Sequence, residues 1–504
     1  MTETMDALTN ILYGFSVALT PVNLSYCLLG CLIGTLVGVL PGLGPAGAIS
    51  LLLPLTFRLD ITGALIMLAG IYYGAMYGGS TTAILVNIPG ETASVMTCLD
   101  GYQMARQGRA GPALGMAAFG SLIAGTISVC GLLVLAPTLA EGALKFGPPE
   151  YFTLMIMSLS LVTYLTRGSM IKGFMMVCLG LLLGVIGNDP VTAKLRFVYN
   201  ITALRSGLGL VPVLMGLFGV SEVLSSVGSG EDRTIVKTKI RNLLPSARDW
   251  KDSSLPILRG TTLGFFLGIL PGIGLSIPTF VSYGLEKKLS KHPERFGSGA
   301  IEGVAGPEAC NNAAAGGTFV PMLSLGIPAT ASMALFLGAL MIHGVQPGPL
   351  LVQEHPEIFW GLISSMYVGN VILVILNLPL IAVWVQVLRI PYSFLYPMIL
   401  LFCLIGAYCL NNQIAELTLM IIFGGVGYIL RYFDYEVTPL ILAFVLGPMI
   451  EDSFRQSLTL SGGSFDVFLL RPIAGIFFVA TLLILSSKLW RHVVPKKGET
   501  RRDA

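Results

Sequence analysis

Residues 34–44 read Gly-Thr-Leu-Val-Gly-Val-Leu-Pro-Gly-Leu-Gly, and residues 264–274 read Gly-Phe-Phe-Leu-Gly-Ile-Leu-Pro-Gly-Ile-Gly. Both stretches end an apolar run on Pro-Gly-x-Gly, a combination that cannot continue a helix without freeing backbone hydrogen-bonding groups. Further landmarks return in the same order. Gly78-Gly79-Ser80 reappears as Gly316-Gly317-Thr318, Asn87-Ile88-Pro89 as Gly326-Ile327-Pro328, and Thr92-Ala93-Ser94 as Thr330-Ala331-Ser332. Near the ends of the halves, Pro212, Gly219 and Glu222 find partners in Pro439, Gly447 and Glu451. The chain reads as a duplication.

The surroundings of these landmarks set the class. Of 504 residues, 54% are hydrophobic and 11% charged, whereas soluble domains carry about 25% charged residues. Mean hydropathy is +0.80. No Asp, Glu, Lys or Arg occurs in residues 7–57, 61–90, 110–140, 309–353 or 358–388. A helical crossing needs about 20 apolar residues, so the runs predict an all-α polytopic membrane protein of about 10–12 spans. A β-barrel would alternate in short segments, and these runs are continuous. The composition suggests an N-terminal helix (1–21), a first repeat (22–227), a cytoplasmic polar linker (228–258), a second repeat (259–465), and a C-terminal span with a basic tail (466–504). A net charge of +3 and the lack of basic stretches interleaved with aromatics argue against nucleic acid. The eight cysteines show no metal-like spacing, and the first residues carry Glu3 and Asp6 in place of a signal peptide's basic region.

Charge placement speaks to orientation. Basic residues gather between Arg233 and Arg259, at Lys287, Lys288, Lys291 and Arg295, and in the tail from Lys488 to Arg502, all expected to be cytoplasmic. The second Pro-Gly-x-Gly is flanked by basic residues on both sides, while its counterpart has none before Arg58. Equivalent loops therefore differ in basic content as opposite membrane faces would. That predicts inverted-topology repeats. About eleven apolar residues precede each Pro-Gly-x-Gly and about a dozen follow, which favours re-entrant hairpins over full spans.

Helix breaks at membrane depth are tolerated where they are buried in protein or line a polar cavity. The breaks and their polar neighbours nominate a binding site: Gly42, Gly44, Ser80, Thr81, Thr82, Asn87 and Gly90 from the first half. The second half contributes Gly272, Gly274, Asn311, Asn312, Gly317, Thr318, Thr330 and Ser332. None of the break motifs contains Lys or Arg, so an anion would be held by helix N-termini, hydroxyls and amides. Carbonyls near Pro41, Gly42, Pro271 and Gly272 suit a hard cation such as sodium. Glu91 and Glu308 adjoin the breaks and are the candidates for ion coupling. No HExxH, GxSxG or P-loop pattern occurs, so no catalytic residues are assigned and enzyme chemistry has no visible seat.

These residues also carry a resemblance. Gly38 to Pro45, Ile71 to Thr82, Asn87 to Glu91, Asp100-Gly101-Tyr102, Ala105 to Gly111 and Gly306 to Ala314 resemble the TctA family, the large membrane subunit of bacterial tripartite tricarboxylate transporters. The resemblance covers nearly the whole chain, with Gln103 after Tyr102 where the family favours Pro. It implies a bacterial inner-membrane protein working with a small four-span TctB-like subunit and a periplasmic TctC-like solute-binding protein. It also implies carboxylate substrates such as citrate, no cofactor, and symport driven by sodium or, alternatively, protons. A stand-alone ion-coupled carboxylate carrier is the second expectation, and an integral membrane enzyme the third.

Overall fold

The computed structural model describes residues 2–40, 44–166, 169–189, 191–226, 243–390 and 392–493. Pro41 and Gly42, most of the polar linker and the extreme tail lie outside the described residues. The first half runs α1 (Thr2–Ala18), α2 (Pro21–Val39), α3 (Gly44–Thr56), α4 (Ile61–Val86), α5 (Val95–Arg106), α6 (Ala110–Ala143), α7 (Pro148–Leu165) and α8 (Met170–Gly184). After a short hairpin pairing Gly187–Asn188 with Leu195–Arg196, α9 (Leu210–Leu214) continues through a π-helical stretch, Met215–Val220, into α10 (Ser221–Ser226). The second half holds α11 (Ala247–Ile269), α12 (Ser276–Leu289), α13 (Glu302–Gly317), α14 (Phe319–Leu325), α15 (Ala331–Ile342) and α16 (Leu351–Glu354). It continues with α17 (Pro356–Asn377), α18 (Ile381–Val387), α19 (Tyr392–Asn411), α20 (Ile414–Tyr432), α21 (Thr438–Leu460), α22 (Val467–Leu470) and α23 (Pro472–Val493).

Local chemistry sets the helix starts. Thr20 caps α2 with Pro21 in its first turn, Asp60 accepts from the Thr62 N–H at 3.1 Å to open α4, and Ser246 with Asp249 forms a capping box for α11. Five described helices are long and apolar enough to cross a membrane: α2, α4, α6, α17 and α20. Seven shorter apolar helices accompany them. Two expectations change. With 19 residues, α2 is not a half-length limb, because Pro21 to Gly30 joins the helix ahead of the glycine-rich run; α3, with 13, is. In the second half, α11 begins at Ala247, inside the stretch read as a linker, and carries Arg248 to Asp252 in its first turns.

The duplication is visible in how helices touch. Lipid tails are as apolar as leucine, so helices associate where small residues let backbones approach. On α2, a Cβ placed on Gly30, Gly34 or Gly38 would lie 2.2–2.4 Å from the carbonyl oxygens of Met67, Ile71 and Ala75 on α4. On α11, a Cβ on Gly260, Gly264 or Gly268 would lie 2.2–2.3 Å from those of Gly306, Cys310 and Ala314 on α13. The two ladders occupy equivalent positions. The left-handed residues Asn87 (φ 61°) and Gly326 (φ 70°) end α4 and α14. Glu91 (φ −144°, ψ 166°) and Thr330 (φ −139°, ψ 167°) then cap the next helices. The backbone thus equates Glu91, rather than Thr92, with Thr330.

Equivalent helices of the two halves run antiparallel. Ser80 of α4 meets Glu308 of α13, while Tyr72, two turns earlier, meets Thr318 beyond the end of α13. An axis parallel to these helices would place them parallel, so the axis relating them runs across them, as inverted repeats require. The halves also interleave. α6 packs on α11 and α13, α17 on α2 and α4, α8 on α21, and α20 on the α9–α10 stretch. Tyr72, Tyr73, Phe319 and Phe336 form an aromatic cluster between halves, with centroids 5.2–6.4 Å apart. Ion pairs bind the halves crosswise, among them Glu222 to Arg431, Arg196 to Glu451 and Asp189 to Arg455.

Candidate functional site

The glycine-rich segments play different parts from those their sequence suggests. Gly78 to Thr82 is continuous helix inside α4, and Gly316–Gly317 is helical in α13. In the first half the break comes later, at Asn87; in the second, α13 ends at Gly317 as expected and α14 carries the chain on to Gly326. Glycine in a membrane helix need not interrupt it when a neighbour packs closely, and the Gly78 Cα faces α2 with the Thr35 carbonyl beside it. Within each half the two breaks meet. The Thr82 hydroxyl donates to the Val39 carbonyl at 2.9 Å, closing the end of α2. A Cβ on Gly90 would lie 2.1 Å from the Gly38 oxygen, and the Gly272 N–H (φ 83°) donates to the Ala329 carbonyl at 3.0 Å. Gly44 and Gly274 have positive φ with open space around them, and Gly317 packs on the Phe265 carbonyl. Thr318 donates to the Ala315 carbonyl, Thr330 caps α15, and Ser332 is buried in that helix's first turn. Gly42 lies outside the described residues.

The remaining nominated residues converge. Glu308, fully buried on α13, receives Ser80 of α4 at 2.5 Å on Oε2 and Thr97 of α5 on Oε1. One turn further along α13, Asn312 donates to Ser121 of α6 at 2.6 Å. Asn311 donates to Glu91 Oε1 at 2.9 Å, and the Ala93 N–H donates to Glu91 Oε2 at 2.7 Å. Neither carboxylate has a lysine or arginine ion partner among the described residues. Asp189, Glu222, Glu286 and Glu451, by contrast, are each paired with an arginine.

Beside Ser80 lies a cavity of about 10 Å³, lined by Tyr77, Ser80, Thr81, Ser121 and Asn377 with apolar residues of α6 and Leu378. That is room for about one water. The Tyr77 hydroxyl and the Asn377 side-chain oxygen are buried without a hydrogen-bond partner, as are the side-chain oxygens of Asn311 and Asn312 and both polar atoms of Asn370. Orphaned polar atoms at this depth are costly and mark a place where a ligand or water completes the bonding. Asn370 lies against Gly125, one turn from Ser121, so the orphans follow a track between α4, α6, α13 and α17.

Tyr77, Thr97, Ser121, Asn370 and Asn377 escaped the sequence reading. The two asparagines were findable, since both sit in the uncharged run 358–388 where an amide has to be satisfied within protein. Thr97 carried no such signal.

Against known proteins, the family model described as "Tripartite tricarboxylate transporter TctA family" matches residues 24–442. An uncharacterised 52.8 kDa protein in the TAR-I ttuC' 3' region of Agrobacterium vitis is 49% identical over 470 residues, 93% of this chain and 94% of that relative. An uncharacterised protein in the TAR-II ttuC' 3' region of the same organism is 49% identical over 226 residues, 44% of this chain and 93% of that relative. No solved structure matches the chain significantly.

Proposed function

The chain belongs to the TctA family of tripartite tricarboxylate transporters, and from that premise we propose that it is the translocation subunit of a binding-protein-dependent secondary transporter in a bacterial inner membrane. It takes up tricarboxylates or related carboxylates, driven by a sodium or proton gradient. A TctB-like small subunit and a TctC-like binding protein complete the system. The observation that carries this reading is the track of orphaned amide and hydroxyl groups buried between the inverted halves, with no guanidinium or ammonium in it. Such a surface can hold a carboxylate through neutral donors and release it again, whereas a buried arginine clamp would bind more tightly. Asn312, Ser80 and Thr81, with Tyr77 and Asn377, are the groups assigned to the substrate. The cavity among them is far smaller than a tricarboxylate, so the halves have to part for loading; the arrangement described here is the closed one.

The test is uptake of radiolabelled citrate and a panel of dicarboxylates into proteoliposomes holding the chain with its small subunit and binding protein. A sodium gradient and a proton gradient are imposed separately. Accumulation that needs a gradient and the binding protein supports the proposal. Uptake by the chain alone would overturn the tripartite part, and none with any carboxylate would overturn the substrate class.

A further inference from the structure

The hydrogen atoms around Glu308 fill every short contact only when its carboxyl carries a proton. Ser80 Oγ lies 2.5 Å from Glu308 Oε2 and 3.1 Å from the carbonyl oxygen of Met76, one turn back on α4. A hydroxyl has one hydrogen. If Glu308 were ionised, both of these neighbours would be pure acceptors and one contact would hold no proton. With a proton on Oε2, every atom is used: Glu308 donates to Ser80, Ser80 donates to Met76, and Thr97 donates to Oε1. Glu91 is built differently. Its oxygens are met by an amide of Asn311 and the backbone N–H of Ala93, groups that only donate, at the start of a capped turn. That environment serves a carboxylate without any proton.

We propose that Glu308 is a proton carrier of the transport cycle, protonated in the closed arrangement, while Glu91 stays ionised throughout. The inference rests on the transport reading and names its coupling ion. On release, the O–H bond at Oε2 breaks and the proton passes by way of Ser80 to water in the adjoining cavity. Ser80 accepts the carboxyl proton and passes its own hydrogen on, leaving a carboxylate. The hydrogen it passes on is the one that faced Met76, turned first to the cavity, and the one it keeps already points at Oε2, so the charged form also has two hydroxyl donors. The cavity touches Ser80 directly and offers Tyr77, Thr81, Ser121 and Asn377 as partners for a water. Coupling follows from charge. A substrate anion entering beside two carboxylates with no cation faces repulsion that one bound proton relieves.

The titratable groups that face Glu308 are few. They are Glu91 ahead of α5, Tyr77 on α4 and Cys98 on α5, and Asp100, one turn on from Thr97, reaches Gly303 of α13. Glu286 of α12, paired with Arg259 of α11, reaches Gly306 on the same helix, and Glu302 stands at the helix start. Of these acids, Glu286 is held by Arg259 and Asp100 by three backbone N–H groups and Tyr283, which leaves Glu91 and the more distant Glu302.

Two measurements test it. Infrared difference spectra of the purified protein, recorded while pH is raised, should show loss of a carboxylic-acid C=O band that is absent in Glu308→Gln and present in Glu91→Gln. Thr97→Val should move that band to higher frequency, because it removes the donor to Oε1. A band that survives Glu308→Gln, disappears in Glu91→Gln, or stays in place in Thr97→Val overturns the assignment. In proteoliposomes, protons moved per citrate are counted from the external pH change. The ratio should fall to zero in Glu308→Gln for whatever transport remains, and an unchanged ratio overturns the proposal, as does a wild-type protein that moves sodium and no proton. If the wild type moves no carboxylate, the transport reading falls, and the spectra still decide the protonation of Glu308.

Discussion

Asp100 is the residue whose removal should most clearly separate geometry from chemistry. It sits one turn beyond Thr97 on α5 and is wholly buried. Its Oδ1 accepts three backbone N–H groups, from Gly297 at 2.9 Å and from Gly299 and Ala300 at 2.8 Å, while Tyr283 donates to Oδ2 at 2.8 Å. Those amides belong to the segment leading into α13, which carries Glu308. One carboxylate therefore fixes both ends of the Thr97–Glu308 contact. A hydrogen bond to a charged group contributes about 1.5–3 kcal/mol, so Asp100→Ala should speed hydrogen exchange at each of the three amides by about 10–150-fold. Asp100→Asn keeps the oxygen but loses the charge and roughly half the bond strength, giving about 3–12-fold. Exchange is read by mass spectrometry on peptides covering 296–301, alongside citrate uptake, which should fall in the same order. Exchange in Asp100→Ala as slow as in wild type, or Asp100→Asn as fast as Asp100→Ala, would refute the reasoning.

Gly34→Val and Gly264→Val place side chains against carbonyl oxygens of the neighbouring helix and should each destabilise by at least about 1–3 kcal/mol, seen as lower melting temperatures of the detergent-solubilised protein. Gly284→Ala, with nothing within 4 Å of its Cβ, should instead stabilise α12 by up to about 1 kcal/mol. Glu222→Arg or Arg431→Glu alone should cost about 1–3 kcal/mol, and the double exchange should recover most of it in the same assay. The backbone N–H of Val191, joined by Arg455 and Thr192, holds the Asp189 carboxyl well below the usual carboxylate range. Its stabilising contribution to the 185–209 segment is therefore full above about pH 4, its unfolded value, and is lost as pH falls through the depressed folded value. Protease cleavage of that segment should rise only on strong acidification, and Asp189→Asn should remove the dependence.

Much of this architecture was open to reading because its causes are local. The repeated Pro-Gly-x-Gly, the spacing of glycines along α2 and α11, and the long uncharged runs each state a backbone requirement that needs no partner to interpret. The same reasoning misplaced the break in the first half, because whether Gly78 interrupts α4 depends on α2 lying against it. Glu308 was singled out as an acid at membrane depth, yet Thr97 and Ser80 become its partners only because inversion sets α4 and α13 antiparallel. Asn377 reaches the cavity because the second half lays α17 over the first. Contacts made between halves have no signature in either half alone.

That interleaving sets a timetable for biosynthesis. α4 is complete when Val86 has been made, but the helix that covers it, α17, starts about 270 residues later at Pro356. At about 5–20 residues per second, the first half waits roughly 15–50 s in the bilayer with its amide- and hydroxyl-bearing faces unpartnered. The same delay holds for α8, whose neighbour α21 starts at Thr438. A ribosome-bound chain stopped before Pro356 should expose Gly30 to Gly38 on α2 only to α4, and leave Cys27 and Cys31, which meet Ser365 and Gly369 in the finished molecule, open to thiol reagents. Assembly of this protein is therefore a late event of translation, and the two halves are made in succession but folded together.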